Sequence, residues 1–387
     1  MRQRLTKLEL RTHESVREIG EQTWDLLAGE PSLPHLRWAF LEALEQTGCV
    51  RPEVGWMPAH LSLWSEQQLV AVAPAYIKGN SEGEFVFDHS WAQFAYQRLG
   101  VDYYPKLVIA SPFTPATGPR LLFRKDIALP FVAGALTRGI SDLVTRLGLS
   151  SAHILFPSDE QADALQESGW LRRFGIQYHW FNEGYTTFED FLQRYGSKRR
   201  NQIRRERREL QRQGIELQVL TGSDINGEAV GHAYRFYKST VRKFLWGRQY
   251  LNFEFFEEVC SKLREQVVVV LAREKGSRRH VGGAFNLTGG GRLYGRYWGA
   301  AEEHRFLHFN VCYYAGIEYC IENGLRVFEP GAGGEHKIAR GFQPTLTHSV
   351  HYLRESVMAQ VVADFLQRER ELVQQELAVP FHLFKER

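Results

Sequence analysis

The sequence predicts an α/β (α+β) protein of two tandem domains, each a mixed, largely antiparallel sheet flanked by helices. Three observations predict it. The 387 residues exceed one average domain and suit two of roughly 150–200 residues each. Apolar residues at helical spacing alternate along the chain with short, strand-sized apolar runs. The two halves also share an order of helices, antiparallel strands, helix and strand, without any residue-level repeat.

The elements follow in chain order. Leu36, Phe40, Leu41 and Leu44 space a helix over Pro34–Gly48 that stops at the glycine. Two strand-like runs, His60–Trp64 and Leu69–Ile77, flank the polar tip Ser65–Gln68 and read as a hairpin. An aromatic stretch, Phe85–Tyr104, and a loop rich in Pro, Thr and Gly, Ser111–Pro119, come next. A helix over Pro130–Leu147, a strand over Ala152–Phe156 and a helix over Ser158–Ser168 complete the first half, with Gly169 placed to cap the last helix. A boundary is expected between Gly169 and Gly184, giving domains 1–175 and 176–387.

The second half reads as a helix over Thr187–Tyr195, a basic helix over 197–213, a strand over Ile215–Leu220 and helices over Gly227–Phe244 and Phe253–Arg264. Strands Val267–Arg273, His280–Leu287 and Arg292–Trp298 suit an antiparallel meander whose second turn is Gly289-Gly290-Gly291. A long apolar helix, Phe306–Asn323, ends at Gly324 and leads into strand Arg326–Glu329. Met358–Leu377 is an amphipathic helix assigned to the second domain.

Composition excludes several classes. At 43% hydrophobic and 24% charged this is an ordinary globular chain, able to bury two cores without staples. The four cysteines, Cys49, Cys260, Cys312 and Cys320, show neither a C-x-x-C pair nor zinc-ligand spacing, so a reducing compartment is expected. The first residues are basic but lack the apolar core of a secretory signal, and apolar runs such as Val267–Ala272 are too short to span a bilayer. The expectation is a cytoplasmic protein with no membrane span.

Charge is concentrated. Nine basic and two acidic residues lie between Arg194 and Arg212, so that stretch carries +7, while the remaining 39 basic and 43 acidic residues carry −4. Ile203 and Leu210 mark the inward line of this helix, and Arg200, Arg204, Arg207 and Arg208 share a face. Guanidinium groups at that density suit phosphates, which they bind bidentately, so Arg200 and Arg204 are candidate substrate-binding residues. The plainer reading is a solvated helix neutralised by pairs such as Arg205–Glu209.

A second concentration follows the strand ending at Glu329. Pro330 terminates pairing, and Gly331, Gly333 and Gly334 admit backbone conformations closed to other residues, as an anion-binding nest for a donor's phosphates would need. It is not a P-loop, since His336 and Ile338 stand where Gly and Ser or Thr would be required. Glu329, Glu335, His336 and Lys337 gather titratable groups beside this loop.

Ser197-Lys-Arg-Arg-Asn-Gln-Ile-Arg-Arg, running on to Gly214-Ile-Glu-Leu, resembles the opening of the second domain in FemABX-type proteins, two-domain relatives of the GNAT acyltransferases. Phe328-Glu-Pro-Gly-Ala-Gly-Gly-Glu-His-Lys-Ile-Ala-Arg-Gly-Phe342 is similar to the signature of the bacterial FemAB-like group of peptidoglycan biosynthesis/recognition proteins, predicted N-acyltransferases. Phe113–Leu121 and Tyr103–Leu107 match the same group in the first half. The resemblance implies a pair of GNAT-like domains and transfer of an acyl or aminoacyl group to an amine. It also implies that Lys337, in a Lys-x-x-x-x-Phe context with Phe342, supplies positive charge at the reacting centre. Amine acylation needs a base for the nucleophile and a cation or N–H for the oxyanion, so Glu329, Glu335 and His336 are candidate base or positioning residues.

GNAT enzymes cradle the CoA pyrophosphate in a glycine-containing loop entering a helix. Here the corresponding link, Gly299–Phe306, has one glycine and two adjacent carboxylates, Glu302 and Glu303, which disfavours ordinary acetyl-CoA use. Asp88, Trp91 and Tyr104 of the aromatic stretch, with Thr114, Thr117 and Arg120 of the Pro/Thr loop, are candidates to line a cleft. Alternation along the third meander strand sets Arg296 opposite Tyr297, itself a candidate substrate contact. His304 and His308 have metal-compatible spacing but no third ligand, so no metal is expected.

The leading expectation is therefore an acyl- or aminoacyltransferase acting on an amine-bearing small molecule or cell-wall precursor in an interdomain cleft, with no certain cofactor. Its donor would be aminoacyl-tRNA or an acyl-CoA, and tRNA is a candidate partner. Two alternatives stand beside it: a CoA-dependent small-molecule N-acyltransferase, and a non-catalytic module recognising a polyanion or cell-wall precursor.

Overall fold

The structure is a computed structural model that describes residues 8–30, 32–243 and 249–378. The expected end of one helix at Phe244 lies outside those residues. The chain divides into two compact units, one of residues up to Ile176 with Leu346–Ala378, the other of Gln177–Thr345.

The first unit holds two sheets. Strands Leu8–His13, His60–Ser65, Gln68–Ala73 and Leu122–Phe123 pair antiparallel in that order. In the second sheet Trp56–Pro58, Ala75–Lys78, Lys106–Ile109, Ser151–Leu155 and the end of Gln343–Leu353 are neighbours, with the Lys106 and Ser151 strands parallel and the other pairs antiparallel. The single strand expected over Leu69–Ile77 is thus two strands in two sheets. Pro74 separates them, because it has no N–H to give a ladder and its fixed φ suits a change of direction. Helices Leu129–Arg146 and Asp159–Glu167 lay Val132, Leu136, Ile140, Leu143 and Leu165 onto a core shared with Leu61, Val70, Leu107 and Ile154.

The amphipathic helix, observed over Ser356–Ala378, was expected in the second domain, but Leu346–Ala378 clusters with the first unit. Its Met358, Val362 and Leu366, four residues apart, form one stripe that packs with Trp91, Tyr103 and Leu353. The boundary region expected near 169–184 is an eleven-residue strand, Leu171–Phe181.

In the second unit the meander forms as the spacing predicts. Strands Ile215–Thr221, Val267–Glu274, His280–Gly289 and Arg292–Ala300 run antiparallel. Arg292–Ala300 then pairs in parallel with Val327–Glu329, which pairs antiparallel with Trp180 and Phe181. A parallel neighbour requires a crossover, and the apolar helix supplies it as three contiguous segments, Leu307–Phe309, the π-helical Asn310–Tyr314 and Ala315–Glu322. Among the described residues, no helix is long and apolar enough to cross a membrane, and all four cysteines are free.

Candidate functional site

Parallel pairing between the two central strands of the second unit stops at Tyr294 and Glu329, and the chain turns away at Pro330. Gly295 makes the close approach possible, since a Cβ there would lie 3.1 Å from the Pro330 Cα. Gly331, Gly333 and Gly334 all have positive φ, near 94°, 68° and 91°, as the glycine pattern predicts. A short 3-10 turn, Glu335–Arg340, follows and is held by Phe342, which is fully buried against Tyr313 and Phe328.

Lys337 is only 3% exposed. Its Nζ donates to the Gly331 carbonyl at 2.6 Å, with the Ala332 carbonyl at 3.4 Å, and no carboxylate pairs with it among the described residues. The loop expected as a nest of N–H groups therefore turns carbonyls toward a cation at this point. Burial, reinforced by the neighbouring Arg296 guanidinium, lowers the Lys337 pKa to about 8. A group so placed remains mainly protonated at neutral pH yet holds its proton loosely.

Arg296 sits at an irregularity in the ladder. Phe285 faces Tyr297 and Asn286 faces Gly295, leaving Arg296 as the extra residue of a β-bulge. The strict alternation expected along this strand is broken there. Arg296 makes no hydrogen bond or ion pair among the described residues, its Nε is buried without a partner, and burial lowers its pKa. Two cations, Arg296 and Lys337, thus face the same small region, and neither pairs with a carboxylate among the described residues. The sequence pattern showed both residues but not that they meet.

Glu329 is buried at 1% exposure and accepts from Arg292 at 2.7 Å, with His179 at 3.8 Å. That pairing makes it a structural anchor for the strand end, which weakens its candidacy as a base. Glu335 is exposed. His336 is exposed and shares a 2.8 Å hydrogen bond between its Nε2 and the Tyr313 hydroxyl; partial burial and then Arg340 lower its pKa, so its imidazole is neutral at pH 7. Tyr313 comes from the π-helical segment, a local widening that re-aims side chains. Tyr297 lies in an aromatic cluster with Tyr237, Phe256 and Phe285.

The basic helix, Ser197–Arg212, is more paired than its sequence suggests. Arg204 pairs with Glu189, Arg207 with Glu318 at 2.7 Å, and Arg200 donates to Gln193 at 2.8 Å. Arg204, Arg207 and Arg208 line a groove of about 460 Å³ with Phe188 and Leu192. Glu209 lies 3.9 Å from Arg212, and the Arg205–Glu209 pair of the plainer reading does not form among the described residues. The acidic residue that matters is Glu206, buried at 2% exposure, which accepts from Arg340 at 3.1 and 3.2 Å and from the Tyr314 hydroxyl.

The link expected over Gly299–Phe306 bears on CoA, and its one glycine lies within the strand Arg292–Ala300. Gly299 sits against the helix Gly227–Lys243, where a Cβ would come within 1.9 Å of the Phe236 carbonyl oxygen. Its lack of a side chain is used for packing, and Glu302 of the same link pairs with Arg279.

In the first unit, Asp88, Trp91 and Tyr104 do come together, around a residue not chosen from the sequence. Lys106 is fully buried and donates to Glu84 at 2.9 Å, to Asp88 at 2.5 Å and to Ser81 at 2.8 Å. Tyr104 bonds Ser81, and Tyr103 donates to Asp88 at 2.7 Å. Burial acts against ionisation of both carboxylates, but Lys106 holds Asp88 well below its ordinary range while Glu84 is raised to about 7. Trp91 packs edge-on to His351, whose Nδ1 is 2.7 Å from His153 Nδ1. The signal that would have found Lys106 is its place in the Tyr103–Leu107 motif, on a strand otherwise wholly apolar.

Arg120 is a correction. It is fully buried, and its guanidinium donates to the carbonyls of Ala116, Gly118 and Pro119. It holds its own loop and does not line a cleft. Thr114 is buried with it, and Thr117 is partly exposed.

The sequence model of a family described as FemAB-like, peptidoglycan biosynthesis/recognition, matches residues 15–382. No curated protein matches the sequence. Among solved structures, FemX is similar at a TM-score of 0.52 and 10% identity, over 92% of this chain and 100% of FemX. A tandem GNAT protein from the clavulanic acid biosynthesis pathway gives 0.49 and 13% over 90% and 99%, and L-PGS from Bacillus licheniformis gives 0.48 and 10% over 84% and 96%. The likeness to FemX is one of fold, and the mixed α/β class expected from the sequence is the class found.

Proposed function

This chain belongs to the FemAB-like family of peptidoglycan biosynthesis/recognition proteins, and on that premise we propose that it transfers an acyl or aminoacyl group to an amine, with the reacting centre in the second unit at Lys337. The observation that carries the reading is the buried Lys337 ammonium, which has no carboxylate partner among the described residues and is lowered to about 8 beside Arg296. A structural lysine at this depth is ordinarily paired. A catalytic one must keep its charge available.

The chemistry follows from that placement. The acceptor amine attacks the donor's carbonyl carbon, forming the C–N bond and placing negative charge on the carbonyl oxygen. Lys337, with Arg296 behind it, stabilises that oxyanion, where a fixed charge in a poorly hydrated site acts most strongly. Neutral His336, oriented by Tyr313, accepts the proton the amine loses. As the C–O or C–S bond to the leaving group breaks, the loosely held Lys337 proton is available to the departing atom. Glu329 and Arg292 fix the strand end from which the loop departs.

Gly299 packed against the Phe236 carbonyl supports an aminoacyl-tRNA donor over an acyl-CoA. The test is filter binding of the purified protein to labelled aminoacyl-tRNA, with acyl-CoA competitors and an Arg200→Ala/Arg204→Ala control. Salt-sensitive binding that the control loses and CoA leaves untouched supports aminoacyl transfer, because neutralised phosphates release counterions. Saturable acyl-CoA binding with release of free thiol instead would move the protein to CoA-dependent acylation. Binding without turnover, unchanged by Lys337→Ala, would overturn the enzymatic reading.

A further inference from the structure

Within the second unit, three residues that the transferase reading leaves unused come together. Glu228 and His232 are four residues apart on the first turns of the helix Gly227–Lys243, so one helix face presents both. His280 is the first residue of the strand His280–Gly289. Their ligand-bearing atoms all lie within 4.8 Å of one another, the His232 Nε2 and Glu228 Oε1 being 3.4 Å apart and the two imidazole centroids 4.2 Å apart.

The hydrogen-bonding state of the rings is what distinguishes this cluster from a packed surface. His280 Nδ1 is buried with no hydrogen-bond partner among the described residues, and the buried His232 Nε2 has the Glu228 carboxylate 3.4 Å away. A buried polar nitrogen without a partner costs free energy that a ligand would recover. Two buried ring nitrogens and a carboxylate converging on one point suit a cation that takes nitrogen and oxygen together. His232 is also stacked on Phe236, which limits ring rotation. The cluster opens onto a groove of about 670 Å³ that Asp224 and Asn226 help to line.

We infer that Glu228, His232 and His280 form a binding site for one divalent cation of the zinc class, with three protein ligands and a further position open to the groove. The cations nearby already have engagements: Arg235 donates to the His280 carbonyl at 2.9 Å and Arg273 lies 3.8 Å from Glu216. Arg278, also on the groove, is exposed to water, which screens it. The inference is independent of the transferase reading.

The test uses the full chain stripped with a chelator and titrated with Zn²⁺ against a chromophoric competitor, then with Co²⁺ to read its visible spectrum. One equivalent is expected, with a Co²⁺ band intensity typical of low coordination number. His232→Ala and His280→Ala are each expected to weaken binding by roughly a hundredfold or more and Glu228→Gln by roughly tenfold, since even outer partners of a metal ligand are worth 10–100-fold. His308→Ala, at one of the two histidines spaced four apart after the last meander strand, should leave binding unchanged. Should a variant fail to fold by far-UV circular dichroism, the imidazole resonances of the native chain decide the matter, because Zn²⁺ must shift those of His232 and His280. No uptake by the native chain, or uptake that the His232→Ala/His280→Ala variant retains, would overturn the assignment.

Discussion

Glu206 on the basic helix and Arg340 at the end of the titratable turn form a buried, two-oxygen ion pair at 3.1 and 3.2 Å. The Tyr314 hydroxyl donates to the same carboxylate, the Arg340 guanidinium lies 3.2 Å from the centroid of the Phe309 ring, and its Nη1 donates to the His336 carbonyl at 2.8 Å. The most basic helix in the chain is therefore fastened to the loop bearing Lys337 by one of its two acidic residues. Removing one partner leaves the other charged and desolvated. Glu206→Gln is expected to cost about 3–5 kcal/mol in urea unfolding, the range for breaking a buried pair from one side. A Glu206→Gln/Arg340→Met double variant should recover part of that loss; if it is no more stable than the single variant, the pair is not the fastening.

Lys337→Ala should lower turnover by about 10²–10³-fold, as removal of an oxyanion donor does, with little change in the acceptor's KM. Lys337→Arg keeps charge but not the transferable proton and should fall between. Steady-state kinetics on a synthetic amine acceptor reads this directly, and an equal rise in KM with unchanged kcat would place Lys337 in binding alone.

The lowered Lys337 pKa gives two pH effects of opposite sign. Activity that needs the ammonium should decline as pH rises through about 8. Stability should do the reverse. Between the folded value of about 8 and the unfolded value of 10.5 the unfolded chain binds more protons, so this group's contribution to folding rises with pH across that window. Lys78, lowered to about 7 by burial, acts in the same direction, so the measurement is the difference between native chain and Lys337→Met in unfolding from pH 7.5 to 10. A difference that does not depend on pH would sink this assignment.

In the first unit, Lys106→Met strands Glu84 and Asp88 in the interior, both at 3% exposure or less. The expected loss is about 3–5 kcal/mol near pH 8. It should be smaller at pH 5, where Glu84, already raised to about 7, is neutral and places no second uncompensated charge in the core. Thermal unfolding of both proteins at the two pH values checks this.

Gly299→Ala places a methyl group 1.9 Å from the Phe236 carbonyl oxygen, a contact only a shift between strand and helix can relieve. A loss of about 1–3 kcal/mol is expected, as for other overpacked sites. Gly333→Ala meets no atom within 4 Å, so its cost arises from the positive φ alone and should be smaller. Differential scanning fluorimetry of the two variants separates packing from backbone strain.

Much of the second unit was legible because its elements have a local period. Ile203 and Leu210 mark one inward line of a helix whichever sheet it covers, and the Gly289–Gly291 turn joins neighbouring strands whatever lies beyond them. The first unit was less so. Lys106–Ile109 is a short strand with a lysine at its start, and nothing local tells that its ammonium points inward to Glu84 and Asp88, 22 and 18 residues away. Arg120 misled for the same reason, since a guanidinium that caps its own loop has the same local sequence as one that meets a ligand.

The sequence by itself determined most of the longer helices, the meander, the absence of a membrane-crossing helix among the described residues, and the family. These depend on spacing, capping residues and contiguous motifs, which act over a few residues. Only the tertiary structure decided that Pro74 divides one run between two sheets and that the last helix packs with the first unit. It alone brought Arg296 to Lys337 through a bulge, Glu206 to Arg340, and His280 to His232. Register and chain pairing set those meetings, and both depend on contacts between residues far apart in the chain, where local propensity carries no information.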